Sequence, residues 1–377
     1  MSENGSSEHE SIQGPYAIVG IGARTSLGLN ALQTTMGIRA EMLRPVETRF
    51  VDPKGELVGM CCVNCVDPLI TGHARWLALA RPALLEATAD WIRIETAKRG
   101  ATSPLPLVLA VPASGVAAPD QHPIQAPPVW EFGGKSVAKP KRFLDALCAE
   151  APGLLDVHQS QEVVGGRAAG IQALSIALQL LAKGSRAVLV GGVDSYYDPD
   201  RLEILAQERR LHGLETENGF IPGEGAAFFL LVPNHASSTY RRYATVLGCS
   251  TELEPRPWGS DDPCQALGMT AALRKATEAV GATRRIGWQI TDVVDERHRV
   301  DEWQLAAGRT FELFTHEVRH EQPLLTAGDV GTASAALFVV EASVRWQTQC
   351  AWSPLAVLAL HSDGPERAAA LLSGDVS

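Results

Sequence analysis

Apolar residues along this chain recur in two patterns, short unbroken runs and longer stretches with helical spacing, and the two alternate. The first run, Tyr16 to Gly28 (YAIVGIGARTSLG), predicts a buried strand feeding a turn, after a polar, flexible tail over residues 1–14. Ala78 to Ile94 carries the three-and-four spacing of a helix, and Pro106 to Ser114 returns to a continuous strand run. Pro- and Gly-rich sequence from Gly115 to Pro140 predicts an excursion over the surface, followed by a short helix at FLDALCAE. From Val163 to Val232 the order is helix, strand, excursion, strand. Its helix, from about Arg167 to Lys183 between Gly166 and Gly184, is apolar or small on nearly every face, which predicts burial all round. The runs Ala187 to Gly192 and Ala226 to Val232 have the composition of strands covered on both faces.

After a polar joint from Val232 to Arg242 the grammar restarts. Tyr243 to Ser250 predicts a strand, Cys264 to Gly281 a helix, Ile286 to Val294 a strand and Asp301 to Phe314 a helix. A second small-residue helix, Gly328 to Trp346, precedes a closing strand at Pro354 to Gly364. Alternating elements with one Ala/Gly-rich helix in each part predict a duplicated α/β unit, its halves at 15–238 and 239–372 sharing a central pair of buried helices.

Composition adds boundary conditions. With 377 residues, 45% of them hydrophobic and 20% charged, the chain has apolar surface enough for more than one ordinary core. A formal charge of −10 argues against nucleic acid or an anionic membrane as partner, since phosphate needs a net basic face. Seven scattered cysteines, an N-terminus without a signal pattern and no apolar run long enough to span a bilayer predict a soluble chain in a reducing cytoplasm.

Several local patterns imitate functional motifs. Gly20 and Gly22 begin a dinucleotide-type turn, but Thr25 holds the position of its third glycine, so a plain strand-to-helix turn is expected. Gly133 to Ser136 (GGKS) imitates a phosphate loop, with Val129 where the first glycine belongs. Cys62 and Cys65 have zinc-like spacing without a second ligand pair, so no metal and no cofactor is expected. Lys135, Lys139, Lys141 and Arg142 form a basic run that reads as a solvated loop or as a landing surface for an acidic partner. Asp295, Glu296, Arg297, His298 and Arg299 read as an exposed charged loop or as the lining of a site.

The stretch GRAAGIQALSIALQLLAKGSRAVLVGGVDS, followed by GFIPGEGAAFFLL, resembles the middle of β-ketoacyl synthases of the thiolase superfamily. The first strand, the restart and GDVGTASAALF fall in that family's order, so the resemblance runs from about Tyr16 to Leu372. It implies the thiolase-like fold, a duplicated α-β-α-β-α arrangement in five layers. Family members condense acyl chains with a cysteine at the start of the buried helix, where the helix N-terminus favours the thiolate. Two histidines and a lysine assist decarboxylation and hold the oxyanion. Carried onto this sequence, the nucleophile's position is Arg167, the first histidine falls near Asp292 to Val294, the second is Asp329 and the lysine is about Leu324. Arginine cannot serve as a nucleophile. The resemblance thus implies a degenerate site at Arg167, Val294, Leu324 and Asp329, with no catalytic residue left in it.

A buried arginine at a helix N-terminus needs an acidic partner. Asp329 is the expected one, with Glu162 or Asp292 as substitutes. The function implied is binding, as a homodimer or in a pair with another thiolase-fold chain. Two variants fit: a chain-length-factor-like subunit, and an adaptor for a type VI secretion effector. An acyl carrier protein is a further acidic partner class. The competing reading is a 3-oxoacyl synthase or acyltransferase that uses unusual residues, for instance His298 with Asp295 or Glu296.

Overall fold

A computed structural model describes residues 16–100, 103–113, 142–213, 216–281 and 284–374. The expected tail at 1–14, the excursion from 115 to 140, the GGKS stretch and the lysines of the basic run lie outside the described residues.

The first half begins with strand β1 (Tyr16–Thr25), helix α1 (Ala31–Arg39), the hairpin β2 (Val46–Val51) and β3 (Leu57–Met60), and helix α2 (Gly72–Arg99). It continues through β4 (Leu107–Pro112), α3 (Phe143–Glu150), β5 (Gln161–Gly165), α4 (Ala169–Ala182), β6 (Val188–Ser195), α5 (Pro199–Gln207) and β7 (Glu224–Pro233). The second half holds β8 (Ala244–Leu253), α6 (Leu267–Thr277), β9 (Ile286–Thr291), α7 (Arg297–Arg309), β10 (Phe314–Glu321) and a single turn α8 (Leu324–Ala327). It ends with α9 (Ser334–Gln347), β11 (Leu355–His361) and β12 (Glu366–Ser373).

Strand pairing makes the duplication explicit. In the first half β5, β4 and β6 run parallel, and β7 and β1 follow antiparallel. In the second, β10, β9 and β11 run parallel, and β12 and β8 follow antiparallel. A short antiparallel contact from Tyr16 to Ile18 of β1 onto β8 joins the two sets.

Three apolar clusters show why there are five layers. Alternate strand residues such as Ala17, Val19, Leu109 and Phe228 face α2 and α3 on one outside, and Val357, Ala359 and Leu371 face α6 and α7 on the other. The opposite strand faces, including Ile18, Val190 and Phe229 from one half and Ile290, Leu358 and Leu372 from the other, meet α4 and α9 in one central cluster. Helix, sheet, central helices, sheet and helix therefore stack in that order, and period-two alternation within unbroken apolar runs supplies both strand faces. Every residue of α9 from Ser334 to Arg345 is buried, as the small-residue pattern requires.

Several element boundaries depart from the pattern reading. Helix α4 begins at Ala169, two residues after Arg167, and α9 begins at Ser334, because Gly328 and Gly331 adopt positive φ and a 3₁₀ turn fills Gly331–Ala333. Helix α7 covers Arg297–Arg309, so Glu296 and Arg299 are buried and the segment is no exposed loop. Strands β5, β10 and β12 escaped the pattern. The first is only five residues long, the second is an edge strand of charged sequence, and the Ala/Leu run of β12 favours helix locally. Tertiary pairing between β11 and β8 makes β12 a strand.

Candidate functional site

The N-terminus of α4, the turn before α9 and the β11–β12 turn converge at the centre of the fold. Ser362 of that last turn accepts a hydrogen bond from the Ala168 amide at 3.2 Å, which satisfies one of the free donors of the α4 start. Arg167, only 2% exposed, stands just ahead of it. Its Nε donates to Asp329 Oδ2 at 2.9 Å, its Nη2 lies 2.8 Å from the same oxygen, and its Nη1 donates to Asp363 at 3.0 Å and to the His361 carbonyl at 3.3 Å. The expected pair between Arg167 and Asp329 is present. The substitute partners are committed elsewhere: Glu162 accepts from the Leu144 amide, and Asp292 accepts from both the backbone and the ring of His361.

The network extends further than the sequence suggested. Arg299 reaches Asp329 at 3.1 Å and Glu296 at 2.5 Å, while Arg210 reaches Glu296 at 2.7 Å and Asp363 at 3.0 Å. Three guanidiniums (Arg167, Arg210, Arg299) thereby face two buried carboxylates (Asp329, Glu296) and the half-exposed Asp363, so each buried arginine has acidic partners. Burial works against the Arg167 charge, but Asp329 and Asp363 outweigh it and hold its pKa well above the usual value. Desolvation works against ionised Asp363, whose side chain is 45% exposed at the rim of the cluster, but Arg167 and Arg210 outweigh it and hold that carboxyl far below the ordinary range. Arg210 and Asp363 carried no sequence signal, because their role depends on a meeting of chain segments far apart.

The other two positions of the expected degenerate site, Val294 and Leu324, are buried at 3% and 2% exposure in the central apolar cluster and bring no polar atom. Acidic residues of the two quoted motifs have structural duties. Asp194 ties Arg201, at 2.6 Å, to the Thr332 amide, and Glu224 holds Arg75 together with the Val63 amide and the Ser195 hydroxyl.

Nucleophiles are scarce here. Burial pushes the thiols of Cys61 and Cys264 up to about 11 and those of Cys62 and Cys249 up to about 12, so they stay protonated at neutral pH. Cys62 and Cys65 are unpaired, the first buried and the second exposed. His298 stacks on Trp258 with ring centroids 5.0 Å apart, and burial followed by repulsion from Arg210 lowers its pKa to about 3. Glu296, its suggested helper, is already bound by two arginines, and Asp295 is exposed.

A five-layered duplicated sheet-and-helix body is the thiolase-like architecture. No family model matches the chain. It is 29% identical over 172 residues, 41% of its own length and 41% of the relative's, to a Streptomyces coelicolor protein that carries the name actinorhodin polyketide beta-ketoacyl synthase 2. The match thus spans less than half of that curated relative. Among solved structures, the ishigamide ketosynthase/chain length factor aligns with 96% of this chain and 99% of its own at a TM-score of 0.69 and 20% identity. An oxazolomycin ketosynthase domain of Streptomyces albus JA3453 aligns over 96% and 74% at 0.73 and 15% identity. A complex of a type II polyketide acyl carrier protein with its ketosynthase contains a chain that aligns over 96% and 99% at 0.71 and 13% identity. These likenesses show that the chain has the thiolase-like fold found in ketosynthase structures.

Proposed function

We propose that this chain is a catalytically inactive ketosynthase-like subunit that acts by binding, paired with another thiolase-fold chain in the manner of a chain length factor. The observation that carries the reading is the state of Arg167. At the position where the resemblance places an acylated cysteine stands a guanidinium bound to Asp329, Asp363 and the His361 carbonyl, so an acyl chain finds neither a nucleophile nor an open polar site there. The likeness to a ketosynthase/chain length factor over nearly the whole of both chains supports pairing. So does the sheet itself. Its β10 edge exposes His316, Glu317 and Arg319, whereas the β5 edge presents an exposed Val164. A charged edge resists strand addition and an apolar one accepts it, so β5 is the edge assigned to the partner chain, with a second copy of this chain as the homodimeric form.

Incubation with acyl-coenzyme A and with acylated carrier protein, read by intact mass, tests the reading directly. The expected result is no adduct, together with a stable complex with a thiolase-fold partner on native mass spectrometry. A stoichiometric acyl adduct would overturn it in favour of an acyltransferase. Within the described residues the arrangement of His298, Asp295 and Glu296 lends that alternative no support, and no contact singles out a secretion effector as the partner.

A further inference from the structure

Away from the central network, the outer layer of the second half holds a buried acidic pocket with a thiol in it. Glu254 follows the end of β8, Cys264 lies in the loop before α6, and Glu302 sits in the middle of α7. A carboxylate oxygen from each glutamate and the Cys264 sulfur all lie within 4.8 Å of one another. Glu302 is neutralised by Arg367, which donates to its two oxygens at 2.6 and 3.0 Å.

Glu254 is not neutralised. It is 1% exposed, its Oε2 accepts from the Gly268 amide at 2.8 Å, its Oε1 has no hydrogen-bond partner, and among the described residues no cation pairs with it. A buried carboxyl with one oxygen unsatisfied and no counter-charge is costly to leave so, and coordination of a metal cation satisfies such a group. Access exists as well: Cys264 and Glu302 line a surface cleft of about 620 Å³ together with Trp258, His298 and Leu305.

We propose that Glu254, Cys264 and Glu302 form a binding site for a divalent transition-metal ion of the zinc class, separate from the Arg167 network. The thiol selects against calcium and magnesium, which prefer oxygen alone, and suits a borderline-soft ion. Ligand atoms around tetrahedral zinc are about 3.5 Å apart, so a small inward movement of these three side chains encloses the ion, with water from the cleft as fourth ligand. On binding, the Cys264 S–H bond breaks, the sulfur keeps the electron pair and donates it to the metal, and the proton passes to solvent. Nothing in the sequence advertised the site, because its ligands come from separate segments without the spacing of a zinc motif.

The test uses the whole protein, stripped with a chelator and titrated with Co²⁺ as the probe, with Zn²⁺ as competitor. One equivalent of Co²⁺ is expected to bind and give a near-ultraviolet thiolate-to-cobalt band that Zn²⁺ abolishes. Cys264→Ser should lose the band, Glu254→Gln should weaken affinity about tenfold or more, and Cys65→Ser should change neither. If Cys264→Ser fails to fold by circular dichroism, the near-isosteric Glu254→Gln titration decides. Absence of stoichiometric binding by the wild type, a band that survives in folded Cys264→Ser, or Glu254→Gln binding as tightly as wild type would each overturn the proposal.

Discussion

Replacing Arg167 with alanine should be among the most damaging single changes in this protein, because it strips a guanidinium from two acids and leaves Asp329 to Arg299 alone. Removal of one partner from a buried pair costs about 3–5 kcal/mol, which denaturant midpoints for Arg167→Ala and wild type will measure. The double variant Arg167→Met with Asp329→Asn should cost less than the sum of its single changes, since it withdraws both charges together. Glu341 of α9 offers an opposite case. It is fully buried, neither oxygen has a hydrogen-bond partner, and burial raises its pKa well above the usual value, with Glu321 adding to the shift against Arg345. The folded state therefore keeps the proton that the unfolded chain releases above about pH 4.3, so stability falls as pH rises past that value. Glu341→Gln should flatten that slope and stabilise the protein at pH 8 more than at pH 5, by up to about 1.4 kcal/mol per pH unit between them. Thermal melts at both pH values check the sign.

Elements were legible where burial on both faces forces unbroken apolar runs, as in β4, β6, β7 and β11, and where small residues line α4 and α9. That small-residue pattern has a steric reason. A Cβ built on Gly170 would stand 2.5 Å from the Ala335 Cβ, so the two central helices touch at a glycine. Gly170→Val should push them apart and cost about 1–3 kcal/mol from overpacking, read as a lowered denaturation midpoint at unchanged helix content. The edge elements β5 and β10 were not legible, because a strand that buries little carries little apolar signal. At the centre, Arg167 and Asp329 could be named from two motifs, while Arg210, Arg299, Glu296 and Asp363 could not be assigned to the same cluster. Their charges resemble those of ordinary surface positions until the fold brings them together.

For the whole molecule, the β5 edge is where assembly is expected. Val164→Lys places a charge on that edge and should abolish pairing in sedimentation or native mass measurements without lowering the melting temperature of the separate chain, since Val164 is 58% exposed. A charged substitution on the already polar β10 edge, such as Thr315→Lys, should leave pairing intact. The sequence by itself determined the alternation of strands and helices, the duplication and the buried central pair, because apolar periodicity is a local property that burial imposes on each segment. Only the tertiary structure decided that Arg167 joins Arg210 and Arg299 in one ion-pair network and that Glu254 is left without a counter-charge beside a thiol. Electrostatic partnership depends on distances between segments remote in the chain, and no periodicity records those distances.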